Sequence, residues 1–189
     1  MTKGMYHYLR QAWKSPGREM LRDRLIEWRK GNSIVKVERP LRLDRARALG
    51  YKAKKGFVIV RVKIIRGGRK RKRAGVKGRK TRKQTIRKTL KMNYQWVAEI
   101  RAARKYKNLE VLNSYWIGKD GMHYFFEIIM VDRNMPEIKN DKKMRWILTN
   151  KKRAERGLTS SARKSRGLRS KSPNMKVRPS LRAWDRQGK

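Results

Sequence analysis

Between Asp44 and Glu99 lie 54 residues with no Asp or Glu and with 21 Lys or Arg. Two like charges on neighbouring side chains, roughly 7 Å apart in water, repel by about half a kcal/mol, and a run of them multiplies the cost. Such a stretch folds only where apolar residues interrupt it, and the remainder stays on a surface. Across all 189 residues, 56 basic side chains face 14 acidic ones, for a net charge of +42. A balance that one-sided requires a partner that neutralises it, and a dense, fixed array of phosphates is the usual one. Nucleic acid is the first partner class implied.

At this length one domain with room for extensions is the default. Apolar residues make up 38% of the chain and cluster at 20–28, 57–65, 96–106, 111–117 and 124–131. The expected core is therefore small, with a body over residues 1–150 and an extended basic arm over 151–189. The absence of cysteine excludes disulfides, thiolate zinc sites and cysteine nucleophiles together. The longest apolar stretch, 124–131, is interrupted by Glu127 and is far short of a bilayer span. No secretory h-region follows Lys3, so a soluble cytosolic protein without a membrane is the plain expectation.

Residues 2–14 predict a short helix, with Met5, Tyr8, Leu9, Ala12 and Trp13 at helical spacing and Ser15-Pro16-Gly17 breaking it. A second helix is expected over 18–30, with Leu21, Leu25 and Trp28 on one face and Gly31 at its end. A helical turn is expected from Leu43, with Asp44 as N-cap and Gly50 just past its end. The clearest strand is 57–65, which places Val58, Val60, Val62 and Ile64 on one face and Arg61 and Lys63 on the other. Residues 66–82 predict a loop with no core of its own, since glycine, alanine and basic residues leave almost nothing to bury. Asn93 is placed to cap a helix running to about 107, with Val97, Ile100, Ala103 and Arg104 along one stripe. Strands at 111–117 and 122–131 flank Gly118-Lys119-Asp120-Gly121, a short hairpin signal. Beyond Asp132, a helical turn is expected at 137–143 and an apolar anchor at 144–148. Extended at about 3.3 Å per residue, 158–189 would reach roughly 100 Å, and it is read as an arm outside any core. These elements describe an α+β fold: a small antiparallel sheet packed with helices, a basic loop near 66–92 and a basic C-terminal extension.

The strongest chemical signal is the run from Arg66 and the glycines Gly67 and Gly68 through Arg69, Lys70, Arg71, Lys72 and Arg73. Two glycines let the backbone approach a ligand, Arg meets phosphate bidentately and Lys does so as a point charge. Lys77, Arg79, Lys80, Arg82 and Lys83 continue the charge, and Lys52, Lys54 and Lys55 extend it before the strand. A second cluster holds Arg156, Arg163, Lys164, Arg166 and Arg169 in a segment of low hydrophobicity, the kind that orders against a partner. The plainer alternative for both is a solubilising or targeting patch. Tyr115 and Trp116, adjacent on a strand, face opposite sides, so one belongs to the core and the other is open to stacking or to packing. Trp184, in the basic tail, is the better stacking candidate. His7 and His123 stand far apart without ligand spacing, and Gly67-Gly68 lacks the frame of a phosphate-binding P-loop. Most carboxylates fall beside Lys or Arg, where ion pairing accounts for them. No catalytic or metal constellation emerges, so neither an enzyme nor a cofactor is expected.

Three segments together resemble one family. The first is Arg39-Pro-Leu-Arg-Leu-Asp-Arg-Ala-Arg-Ala-Leu-Gly-Tyr-Lys-Ala-Lys-Lys-Gly56, running through the strand to Arg66-Gly-Gly-Arg-Lys-Arg71. The second is Leu109-Glu-Val-Leu-Asn-Ser-Tyr-Trp-Ile-Gly118, continuing through Tyr124-Phe-Phe-Glu127 to Asp132. The third is Arg156-Gly-Leu-Thr-Ser-Ser-Ala-Arg-Lys-Ser-Arg-Gly-Leu168. Their order and content are similar to the archaeal and eukaryotic large-subunit ribosomal proteins numbered fifteen-e, in the archaeal form. The chain departs from that pattern in the unusually basic 72–92 and in a shorter tail beyond Arg169. The resemblance implies an antiparallel sheet with helices on both faces. It also implies a non-catalytic structural role on large-subunit rRNA, beside neighbouring ribosomal proteins and with no small-molecule substrate.

A DNA-architectural protein would share the charge and the basic arms. Minor-groove wedges and a dimerising helix are missing, however, and long irregular basic segments suit folded RNA better than a regular duplex.

Overall fold

The computed structural model describes residues 2–70, 87–88 and 90–169. Its centre is the β-branched run that the sequence marks most clearly, strand β2 (Phe57–Ile65). One edge of β2 takes β1 (Ile34–Val37), and the other takes β6 (His123–Asp132), which in turn pairs with β5 (Leu109–Lys119). All three pairings are antiparallel, so the sheet runs β1-β2-β6-β5. The four-residue β1 was not anticipated, because so short a run carries little periodicity. The β5–β6 hairpin is where expected but turns more tightly: Asp120 Oδ1 accepts the backbone N–H groups of Met122 and His123 at 2.7 and 2.5 Å.

Among the described residues seven helices fill in around this sheet: α1 (Met5–Lys14), α2 (Arg18–Lys30), α3 (Leu43–Ala48), α4 (Tyr94–Lys105), α5 (Pro136–Lys139), α6 (Arg145–Thr149) and α7 (Ser160–Ser165). Both sheet faces are buried. On one, Ile59, Phe125 and Ile129 pack with Trp28 of α2, Ala46 of α3, Ile138 of α5 and Ile147 of α6. On the other, Val60, Val62, Phe126, Ile128 and Met130 pack with Ala98 and Ala102 of α4. The face expected to carry Arg61 and Lys63 also carries Ile59 and is covered. Arg61 lies 5.2 Å from the Trp28 ring centroid, and Lys63 Nζ donates to the carbonyls of Arg29 and Gly31 at 2.7 and 2.9 Å. A cation suits those last carbonyls of α2, where the helix dipole is negative. Irregularities in β5 between Val111 and Asn113, and between Trp116 and Gly118, let Leu112 and Ile117 join Tyr115 on the α2 side.

Helix ends follow local chemistry, with one correction. Asn93 caps α4 as expected, its Oδ1 accepting Trp96 N–H at 2.7 Å. The buried line of α4, however, is Ala98, Glu99 and Ala102, while Arg104 is exposed and reaches Glu155 at 3.1 Å. Asp44 is not the N-cap of α3: Arg42 takes that place, and Asp44 lies buried inside the helix, 3.9 Å from Arg10 and 3.8 Å from Arg42. Gly50 follows α3 at φ +98°, as expected. Gly56, at φ +90°, precedes β2 where any Cβ would sit 2.5 Å from Ile138 Cγ1. Only glycine fits that bend.

Three acids hold distant segments together, contrary to the expectation that helix ion pairs account for them. Glu127 accepts from the Tyr115 hydroxyl at 2.5 Å and from Leu41 N–H at 3.1 Å. Glu110 accepts the N–H groups of Lys152 and Arg153 at 2.8 and 2.9 Å. Glu99 accepts from Ser114 Oγ, and from Thr159 Oγ1 at 2.5 Å. Each is buried, and each replaces its lost hydration with such bonds. Burial raises Glu99 and Glu127 above the ordinary carboxylate value, and burial together with the Glu127 charge pushes the Tyr115 hydroxyl far up. These contacts also correct the reading of the C-terminal stretch. Ala154, Thr159, Ser161 and Ala162 are buried, so the segment just past residue 150 is docked on the body.

Candidate nucleic-acid interface

The basic loop leaves the sheet from the end of β2. Arg66 lies 5.1 Å from the Tyr124 ring centroid and donates to the carbonyls of Asp120 and Gly121 at 2.8 and 3.3 Å. Gly67, at φ +100°, donates its N–H to the Tyr94 hydroxyl at 2.8 Å, and that hydroxyl donates back to the Gly67 carbonyl at 3.2 Å. Tyr94 stacks on Tyr124 at 5.0 Å, which fixes both rings. The root of the loop is thus clamped by two tyrosines, and Gly68 beyond it is exposed. Arg69 and Lys70 form β3 (Arg69–Lys70), paired antiparallel with β4 (Arg87–Lys88), so the chain leaves and returns as a short ribbon. Arg71, Lys72, Arg73, Lys77, Arg79, Lys80, Arg82 and Lys83 lie outside the described residues, as does Trp184.

The second cluster is positioned by α7. Asn93 anchors it, accepting from Ser161 Oγ at 2.8 Å and donating through Nδ2 to the Ser161 carbonyl at 2.9 Å. Thr159 caps α7 by accepting Ala162 N–H at 3.3 Å. Arg163, Lys164 and Arg169 are left exposed. Arg156 and Arg166 are committed in part to their own segment: Arg156 Nε donates to the Lys151 carbonyl at 2.9 Å, and Arg166 donates to the Gly157 carbonyl at 3.1 Å.

The lysines before β2 behave differently. Lys52 and Lys54 both reach Asp141 Oδ2, at 2.6 and 2.8 Å, and Lys54 also donates to the Glu137 carbonyl at 2.9 Å. The hydrogen bonds from Lys52 and Lys54 hold the Asp141 carboxyl well below its ordinary range. Of the three, Lys55 is exposed without such an acid. The structure separates Tyr115 and Trp116 as alternation requires: Tyr115 is 3% exposed and Trp116 is 42% exposed. Sequence reasoning did not place Arg10, Arg45, Tyr94 and Tyr124 in a site, because none belongs to the dense basic clusters at 66–83 and 156–169. Only their places in the fold bring them beside the loop root or Trp116.

Histidine chemistry does not emerge. His123 Nδ1 sits 3.5 Å from Asp120 Oδ1 at the hairpin. Burial raises the Asp120 carboxyl, and the N–H groups of His123 and Met122 more than offset it, leaving the group below its ordinary value. Among the described residues no group of His, Cys, Asp and Glu is placed to hold a metal, and no helix is long and apolar enough to cross a membrane.

The basic ribbon is thus rooted on Tyr94 and Tyr124, and α7 leaves Arg163 and Lys164 exposed. Comparison with known proteins agrees with the resemblance read from the three segments. A family model described as Ribosomal L15 matches residues 4–184. The chain belongs to this family. It is 49% identical over 197 residues to the large ribosomal subunit protein eL15 of Methanocella arvoryzae, with 100% of both chains covered. It is 51% identical over 191 residues to the protein of the same name from Methanospirillum hungatei, covering 97% of each. That of Methanocorpusculum labreanum is 46% identical over 195 residues, again with 100% of both covered. The α+β sheet with helices on both faces is the one that the resemblance implied.

Proposed function

We propose that this chain is a non-catalytic structural constituent of the large ribosomal subunit, in the cytoplasm, holding folded large-subunit rRNA and neighbouring ribosomal proteins. The observation that carries this is the pairing of L15e family membership with a net charge of +42, much of it concentrated in a loop rooted on Tyr94 and Tyr124. The body over 1–150 acts as a rigid base from which 66–92 and the far part of 151–189 enter between RNA segments. Phosphate contacts from Arg and Lys position the protein, and RNA shape rather than base identity selects the place. The test is sedimentation of the tagged protein from cells on a gradient. It should travel with large subunits and leave them at high salt. Comigration with bulk DNA, unaffected by ribonuclease, would select the DNA-architectural alternative instead.

A further inference from the structure

We infer that the surface beside Trp116 on the outer strand β5 holds a receiving site for one unpaired nucleotide of the bound RNA, its base stacked on Trp116 and its phosphate on Arg45; this rests on the RNA-binding reading above. Trp116 stands between Tyr115 and Ile117, which are 3% and 1% exposed, yet is itself 42% exposed. Its ring makes no ring-stacking or cation contact among the described residues, although Trp13, Trp28 and Trp146 each carry an arginine over the ring. An indole face left open in this way is a stacking platform that lacks its second member.

The surroundings fit a nucleotide. Two adjoining hollows, of about 720 and 490 Å³, share Trp116, Arg45, Gln95 and Ser114 in their walls. Both volumes lie within the range of small-ligand sites. Arg10 and Arg42 line the first hollow, while Lys164 and Arg169 line the second, so cations surround the ring. Arg45, exposed and common to both, makes no side-chain hydrogen bond or ion pair among the described residues. The one acid in the walls, Asp44, is 5% exposed and lies between Arg10 and Arg42, which offset its charge toward a phosphate.

The approach is also built. Trp116 pairs in register with Phe126, and Phe126 stacks at 6.2 Å on Tyr124, the ring beneath Arg66 at the root of the basic loop. Tyr124, with Phe126, also lines the second hollow, so the root of the basic loop adjoins the proposed site. A duplex cannot use the hollows, because its bases are already stacked, whereas a nucleotide splayed from a loop or bulge can.

The test is equilibrium binding of the full chain to deproteinised large-subunit rRNA across a salt series, for wild type, Trp116→Ala, Trp116→Phe and Arg45→Gln. Trp116→Ala should weaken binding about tenfold with no change in salt slope, since stacking carries no counterions, and Trp116→Phe should recover most of it. Arg45→Gln should flatten the slope by about 0.7 to 0.9, the share of one phosphate. Wild-type protein that fails to bind rRNA would overturn the RNA reading and the site with it. Wild-type binding matched by all three variants would overturn the site alone, and an acidic protein segment as the true occupant would give that result.

Discussion

Thr159 Oγ1 donates to Glu99 Oε2 at 2.5 Å across 60 residues of sequence, and Ser114 Oγ donates to the other oxygen of the same carboxyl. One buried side chain thus joins α4, the edge strand β5 and the segment that begins α7. Burial raises Glu99 above its ordinary 4.5, although hydrogen bonds from Ser114 and Thr159 and the Arg153 charge oppose the shift. The folded chain therefore keeps a proton that the unfolded chain loses above 4.5, and stability falls as pH rises from there through the folded value. Glu99→Gln removes that slope while still accepting from one hydroxyl and donating to the other, so stability at pH 7 should be unchanged or higher. Glu99→Ala leaves two buried hydroxyls and a cavity and should cost about 2–4 kcal/mol. Urea unfolding of the three proteins at several pH values between 4 and 8 checks both.

Asp141 makes the opposite prediction. Its carboxyl, held low by Lys52 and Lys54, is ionised in the folded chain at a pH where the unfolded chain has begun to bind a proton. The contribution is present above 3.8 and is lost as pH falls through the lowered folded value. Asp141→Asn should therefore lower the thermal midpoint at pH 7, and the difference from wild type should shrink steadily below pH 3.8. An undiminished difference in acid would show that the two lysines do not set this carboxyl.

The strands and caps were legible because their signals are local. Branched side chains mark β2, Asn93 marks the start of α4, and Gly118 to Gly121 mark the hairpin. The positions of the acids were not. Glu99, Glu110 and Glu127 answer hydroxyls and backbone N–H groups that lie 12 to 86 residues away, a relationship only tertiary structure creates. The same reason hid the docking of α7, whose sequence is as basic as an arm but supplies Thr159, Ser161 and Ala162 to the body. For the candidate interface, composition pointed to a partner class and to a loop. It could not show that Asp141 engages Lys52 and Lys54, or that Arg45 lies beside Trp116.

Two glycines of similar backbone should respond differently to alanine. Gly56 and Gly67 have φ of +90° and +100°, so either substitution brings the strain of a left-handed residue, roughly 1–2 kcal/mol. At Gly67 nothing lies within 4 Å of the added Cβ, and the strain is the whole cost. At Gly56 the Cβ also meets Ile138 Cγ1 at 2.5 Å and Met135 Cβ at 3.2 Å, which forces α5 to shift. Overpacking adds about 1–3 kcal/mol, so Gly56→Ala should be the more destabilising by that margin in thermal or urea unfolding.

The last prediction separates charge from fold. Replacing Arg69, Lys70 and Arg71 together with Ala removes three cations from the ribbon and its extension, next to the root held by Tyr94. No described core contact involves this stretch, so the far-ultraviolet circular dichroism and the unfolding midpoint should stay at wild-type values. Binding to large-subunit rRNA should weaken, because fewer counterions are released on association. Each phosphate contact contributes a slope of about 0.7 to 0.9 in log affinity against log salt, so the slope should flatten by up to three such contacts. At high salt, where counterion release contributes little, triple mutant and wild type should converge. Wild-type affinity with an unchanged slope would mean that the loop is not where this chain holds phosphate, whatever its charge.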